Sequence, residues 1–415
     1  MIAYALFRHR DLSDTQLSIV VVLVVAGVLS TVEYARVNQG IDHPKQCLKV
    51  IAERALSQWL DSMLGLALVV LFWWLLDAEY GRSEYKPLRE ALPLVLPFTA
   101  PVVLIATLLA AWRLGPIREG PTPLATFLLS LGRDRRTSEL QQAVLALLVR
   151  AIFLPLNFCV FVHCISHIRG REAYLLTAAW PGLHAEILTV IYALLIATII
   201  PGYLFSSRLL GTQVRRIDTT ILGWAATLAC YRPLSLAVFE RWLNYHGSSA
   251  IPGADRPWVT VTGNWPSILL TVGTAIIALE FVHLWAEASF GLRASNLSNR
   301  GIITHGPYKW CKHPIYLSKC LGWILIYLPF ASATVSESIR ATLLFAGVCG
   351  LYAVRSYAEE RLLASDPDYV EYALWMDGHG LFSWVSRLFH GLSFRARLAR
   401  WQGDATVAAH DTCSG

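Results

Sequence analysis

Two stretches in the carboxyl-terminal half hold the residue types and spacings that could do chemistry. The first is RGIITHGPYKWCKHPIY at 300–316, which gathers Arg300, His305, Lys309, Lys312 and His313 among aromatic residues and two proline-containing turns before an apolar segment begins. Gly301, Gly306 and Pro307 break helix there and leave backbone N–H and C=O groups open to a ligand. Pro314 suits the first turn of a helix, which puts His313 at its mouth and Tyr316 within about one turn. A helix start flanked by Lys312 and His313 can receive an anion or carboxylate. A basic loop that merely anchors a membrane helix has the same composition.

The second stretch is AVRSYAEERLLASDPDYVEY at 353–372. Arg355 and Glu359 are four apart, so their side chains share a helix face. With Glu360 beside them, they make a candidate carboxylate clamp next to an acidic group; a structural ion pair reads the same way in isolation. Glu280, His283 and Glu287 also fall at steps of three and four. They could line a polar cavity, bind a proton or metal, or simply hydrogen-bond near lipid headgroups.

The elements that must position these residues are membrane helices. Of 415 residues, 55% are hydrophobic and only 15% charged, which excludes an ordinary soluble protein. The net charge of +6 lies in short loops between apolar runs, a pattern of membrane topology with no nucleic-acid patch. The eight cysteines lie mostly inside apolar stretches, without CxxC or zinc-like spacing, so neither a disulfide framework nor a metal site is expected. The first apolar run is as long as a span and lacks a cleavage site, and reads as a retained helix.

A bilayer core ~30 Å thick needs ~20 apolar residues at helical rise. Runs of that length occur near 17–35, 60–77, 91–112, 144–166, 187–206, 219–243, 265–286, 314–332 and 338–358. Arg232-Pro233 should kink or divide the 219–243 run. The expected fold is therefore all-α, a polytopic transmembrane bundle of about nine spans, eight to ten in range, with no Rossmann domain. Basic residues alternate between loops, and the side holding Arg36, Arg133, Arg215, Arg300 and Lys312 is the richer one, which places both chemical stretches on the cytoplasmic face. Residues 1–206 read as an amino-terminal bundle without a motif that carries chemistry; Arg150 and Asn157 fall in its fourth span, and the loops at 36–59 and 113–140 could hold interfacial helices. Residues 391–415 read as a basic, disordered cytoplasmic tail.

GIITHGPYKWCKHPIY, followed one hairpin later by RSYAEERLL and DYVEY, resembles the isoprenylcysteine carboxyl methyltransferase and phospholipid methyltransferase superfamily of integral membrane enzymes. The resemblance covers roughly 265–385 and weakens back to about 210, so residues 207–390 are expected to form a catalytic module of this kind. It implies that Ile302, Ile303, Tyr308, His313, Pro314, Ile315, Tyr316 and Glu359 contact S-adenosylmethionine, and that Arg355 holds the acceptor. The implied catalytic pair is Arg355 and Glu359, and the implied reaction is O-methylation of a carboxylate on a lipophilic substrate entering from the bilayer, with membrane lipids as its surroundings. Lys312 stands where the family has an arginine, which keeps the charge and loses the planar fork. LSKC follows the tyrosine where many members have a small residue, and the amino-terminal half exceeds the family's usual small bundle. Two other classes fit less of the pattern: an NADPH-dependent membrane reductase of the sterol-reductase type, which shares an HPxY-bearing bundle, and a non-enzymatic transporter or scaffold.

Overall fold

The computed structural model describes residues 12–37, 55–56, 59–60, 62–71, 73–74, 86–114, 137–171, 179–204, 206, 210–232, 234–245, 257–332 and 334–402. These are helical almost throughout. Six helices among them are long and apolar enough to cross a membrane. They belong to α1 (Asp14–Val37), α2 (Lys86–Leu114), α3 (Thr137–Gly170), α4 (Trp180–Leu204), α5 (Pro266–Phe290) and the helix Val335–Leu363. This is the architecture of an all-α polytopic membrane protein.

Among the described residues six of the nine apolar runs form long spans, and the other three take other forms. The 219–243 run divides into two short helical pieces. Its first helix, Ile221–Leu228, stops ahead of Pro233, and a π-helical turn follows at Leu236–Trp242. The 314–332 run yields α6 (Pro314–Tyr327), whose 14 residues end at Leu328 in the left-handed conformation. At ~1.5 Å per residue this helix is shorter than a bilayer core. In the 60–77 run only Ser62–Leu71 is a described apolar helix of any length, and the remainder lies partly outside the described residues. Most of the 36–59 and 113–140 loops lie outside them too.

The chain folds into two compact units that interleave in sequence: Met1–Thr177, Tyr192–Thr219 and Phe290–Gly301 form one, and Ala178–Ile191, Thr220–Ser289 and Ile302–Gly415 the other. In the first unit α1, α2 and α3 pack against one another. A two-residue antiparallel pair, Arg216–Ile217 with Ser298–Asn299, ties its later segments together. The Gln142 side chain on α3 accepts from Ile217 N at 2.7 Å, which fixes that pair to the helix.

The second unit holds residues 302–316 of the first chemical stretch and all of the second. Here α6 packs against α7 (Val335–Leu363) and against the short helix Pro257–Thr262. Capping sets the ends: Thr334 Oγ1 accepts from Glu337 N to start α7, and Asp366 Oδ1 accepts from Asp368 N to start α8 (Pro367–His379), where Pro367 takes the first helical position. Tyr369, Tyr372, Ala373, Met376 and Phe394 form a buried cluster with Ile302 packed against it. The described part of the 391–415 stretch packs on this cluster. Residues 394–402 are helical and Phe394 is fully buried. An apolar Phe and Trp401 within a basic sequence give that segment a face to bury.

Candidate active site

The stretch 300–316 divides between the units. Arg300 belongs to the first, where it is buried and donates to the carbonyls of Thr212 and Gly202. Residues 302–316 belong to the second unit. Their turn is shaped at Gly306, which adopts φ +62°; a Cβ there would meet Ser289 Oγ at 2.5 Å. Only glycine takes that conformation without strain, and only a hydrogen fits against Ser289. The 3-10 turn Gly306–Lys309 then buries Tyr308, whose carbonyl accepts from the Tyr372 hydroxyl at 2.8 Å. Burial, followed by the carboxylates of Glu287 and Glu359, holds the Tyr308 phenol well above its ordinary pKa. It stays protonated, a hydrogen-bond donor and not a base.

His313 occupies the N-cap of α6 without using its side chain to cap it, and Pro314 takes the first helical position. The imidazole is thereby left to reach α7. Its Nε2 lies 3.1 Å from Glu360 Oε1 and its Nδ1 3.8 Å from Glu359 Oε2. Its ring stacks on that of Tyr316, centroids 5.5 Å apart. Tyr316 Oη donates to Glu359 Oε2 at 2.8 Å. The Arg355 guanidinium lies over two rings, 5.1 Å from the centroid of Tyr316 and 5.5 Å from that of Tyr231. Such stacking holds a planar cation in orientation.

Four of the residues named from sequence thus come together directly: His313, Tyr316, Arg355 and Glu359. Tyr308 shares their electrostatic field through Glu359 and Tyr316. Pro314 and Ile315 form the opening turn of α6, with Pro314 buried. Ile303 is buried as well, while Ile302 packs into the Tyr369–Phe394 cluster behind the turn. Glu280 and His283 pair with each other at 3.1 Å. The third member of that helical face, Glu287, lies in the field of His283, Lys319, Arg355 and Glu359. Among the described residues no group of three or more His, Cys, Asp or Glu is placed to hold a metal ion.

The structure adds three residues that the sequence did not signal, Tyr231, Asp377 and Arg397, and gives Glu360 its partners. Tyr231 supplies the second ring under Arg355 from a segment far upstream. Glu360, only 2% exposed, is met by Lys312 at 3.4 Å, His313 at 3.1 Å and Arg397 at 2.6 Å. Lys312 also reaches Asp377 at 3.3 Å. The adjacent glutamates therefore have different surroundings. The Glu359 side chain is 37% exposed and that of Glu360 3%. No spacing rule in the sequence signals Arg397 or Asp377, because each is joined to α7 or to Lys312 only in three dimensions.

This pairing of an HPxY helix mouth with an Arg-x-x-x-Glu helix face has a counterpart among known proteins. Residues 268–365 match the isoprenylcysteine carboxyl methyltransferase (ICMT) family. The ICMT match begins in α5 and ends just past α7, so it takes in Ile302 to Tyr316, Arg355, Glu359 and Glu360; Tyr231, Asp377 and Arg397 lie outside it. The chain is also similar to the cobalt-zinc-cadmium resistance protein CzcN of Cupriavidus metallidurans, 35% identical over 151 residues. That similarity spans 36% of this chain and 59% of the relative, so the chain matches less than two thirds of CzcN. No solved structure matches the chain.

Proposed function

We propose that the second unit is a membrane methyltransferase that moves a methyl group from S-adenosylmethionine to a carboxylate oxygen of a lipophilic acceptor. One observation carries this reading: the Arg355 guanidinium rests 5.1 Å from the Tyr316 ring centroid, and the Tyr316 hydroxyl donates to Glu359. The two motif halves thereby join a cation suited to an acceptor carboxylate with an acid suited to a cationic cofactor. The match to the ICMT family over the same residues supports it.

The residues present suit the cofactor. A sulfonium and an amine call for carboxylates and aromatic faces, and Glu359, Glu287, Tyr308 and Tyr316 supply both. Residues 302–316 and Glu359 hold it in this reading. S-adenosylmethionine supplies, when bound, an electrophilic methyl whose parent sulfonium loses its charge on transfer. Arg355, braced by Tyr231 and Tyr316, binds the acceptor carboxylate through its fork. A carboxylate is already nucleophilic at neutral pH, so orientation by Arg355 matters more than a strong general base. The protonated Tyr308 offers a donor without competing for the methyl. The acceptor's tail enters from the bilayer, and the basic loops put the site on the cytoplasmic face.

The test is incubation of the purified protein with methyl-labelled S-adenosylmethionine and a membrane lipid extract. Base-labile label on a lipophilic molecule is the expected result. Alkali-stable label would assign the acceptor to another class, an amine or thiol. If no label transfers and the cofactor shows no saturable binding, the reading fails. Saturable NADPH binding in its place would favour the reductase.

A further inference from the structure

The first unit contains a concentration of arginines that the methyl-transfer reading does not use. Arg36 closes α1, Arg215 precedes the strand Arg216–Ile217, Arg293 ends the 3-10 turn after α5, and Arg300 follows the strand Ser298–Asn299. The strand pairing and the packing of α1 on residues 291–293 bring these segments together. We propose that Arg36, Arg215 and Arg293 form a binding site for a phosphate-bearing anion.

Two glycines shape the place. Gly301 adopts φ +105°, and a Cβ on it would lie 3.5 Å from Arg215 Nη2 and 3.8 Å from Arg293 Cδ. Both arginine side chains therefore cross the same bare stretch of backbone. Gly211, at φ +61°, meets Arg293 Nη2 in the same way at 3.8 Å. Glu33 orients the Arg293 fork by accepting from Nη2 at 3.3 Å. That contact leaves Nε, which is buried with no hydrogen-bond partner among the described residues. A buried guanidinium N–H without a partner is costly, and a ligand oxygen relieves it.

The charge balance points to an anion as well. Glu33 and then Arg36 and Arg215 act on Arg293, so one carboxylate is set against several guanidinium groups, and Arg150 and Arg293 act on Arg300. Burial and then these neighbours lower the Arg300 pKa to about 9, and its donors are occupied by neutral carbonyls. A bound anion offsets that mutual repulsion. Arg36 and Arg215 are exposed and Arg293 is partly so, which leaves the group open to solvent. Several converging forks suit a phosphate, whose oxygens can serve more than one guanidinium at once, better than a carboxylate, which one fork satisfies. The phosphate could be that of an anionic lipid headgroup, since Arg36 ends an apolar helix, or a free phosphate.

The experiment uses the full chain and thermal unfolding as readout. One arm places it in phosphatidylcholine nanodiscs with increasing phosphatidic acid; the other titrates inorganic phosphate into phosphate-free detergent solution. Wild-type protein is expected to be stabilised saturably in at least one arm. Arg215→Gln, at an exposed position, is expected to bind roughly tenfold more weakly, and Arg340→Gln, exposed on α7, to behave as wild type. A response to phosphatidic acid alone identifies a headgroup, whereas a response to both identifies phosphate itself as sufficient. Saturable stabilisation in neither arm, or an Arg215→Gln variant that binds like wild type, overturns the proposal. Should Arg215→Gln fail to fold, Arg36→Gln at the other exposed arginine reads the same loss.

Discussion

Arg397 Nη2 lies 2.6 Å from Glu360 Oε2, joining the helical start of the tail to the acidic pair on α7. Glu360 also holds Lys312 and His313, so one buried carboxylate fixes the mouth of α6, the body of α7 and the segment 394–402. Arg397→Gln should then cost about 2 kcal/mol of stability, less than a fully isolated buried pair because Lys312 and His313 remain. Thermal unfolding in detergent checks this, and an unchanged midpoint would mean that the tail helix is not an anchor.

Tyr316 presents two functions that one substitution can separate. Tyr316→Phe keeps the ring under Arg355 and removes the donor to Glu359. If Glu359 must be oriented to hold the cofactor, S-adenosylmethionine affinity should fall roughly tenfold, the order of a hydrogen bond to a charged group, with little change in the acceptor's KM. Calorimetric titration measures the first quantity and steady-state kinetics the second. Wild-type affinity would remove Tyr316 from the cofactor site.

Arg355→Lys preserves the charge and loses the fork that lies across Tyr231 and Tyr316. The expected result is a fall in kcat/KM for the acceptor of at least about tenfold, because a point charge neither stacks nor binds a carboxylate bidentately. Cofactor affinity should stay near wild type. A variant with normal acceptor kinetics would falsify the clamp.

Gly306→Ala introduces a side chain at φ +62° and 2.5 Å from Ser289 Oγ. The backbone alone should contribute ~1–2 kcal/mol of destabilisation, and the contact adds to it. Adding Ser289→Ala removes that oxygen and should restore part of the loss but not the backbone share. Full rescue by the second substitution would show that the turn tolerates a non-glycine residue.

Cys311, beside the site, offers a pH-dependent probe. Burial raises its thiol pKa, opposed more weakly by the His313 backbone and Lys312. A raised pKa leaves little thiolate at neutral pH, so maleimide labelling of a Cys311-only variant should be slow at pH 7 and accelerate as pH rises. At neutral pH it should trail a free cysteine. Equal rates would mean the thiol is exposed.

Much of this protein was determined by sequence alone. The apolar runs required membrane helices because a bilayer leaves backbone groups no other partner. HPxY and the Arg355–Glu359 spacing marked the two halves of the candidate site because proline position and helical periodicity are local properties. Tertiary structure decided the rest. It assigned Arg300 to the carbonyls of Thr212 and Gly202, away from residues 302–316 of the same motif. It stopped α6 at Leu328 and folded residues 394–402 into a helix, whereas the break in the 219–243 run was legible in Arg232-Pro233. It also distinguished two adjacent glutamates, leaving Glu359 half-exposed beside Tyr316 and burying Glu360 among Lys312, His313 and Arg397. Sequence spacing places a side chain on a helix face; which charge it meets there depends on distant segments, and that is set only when they pack.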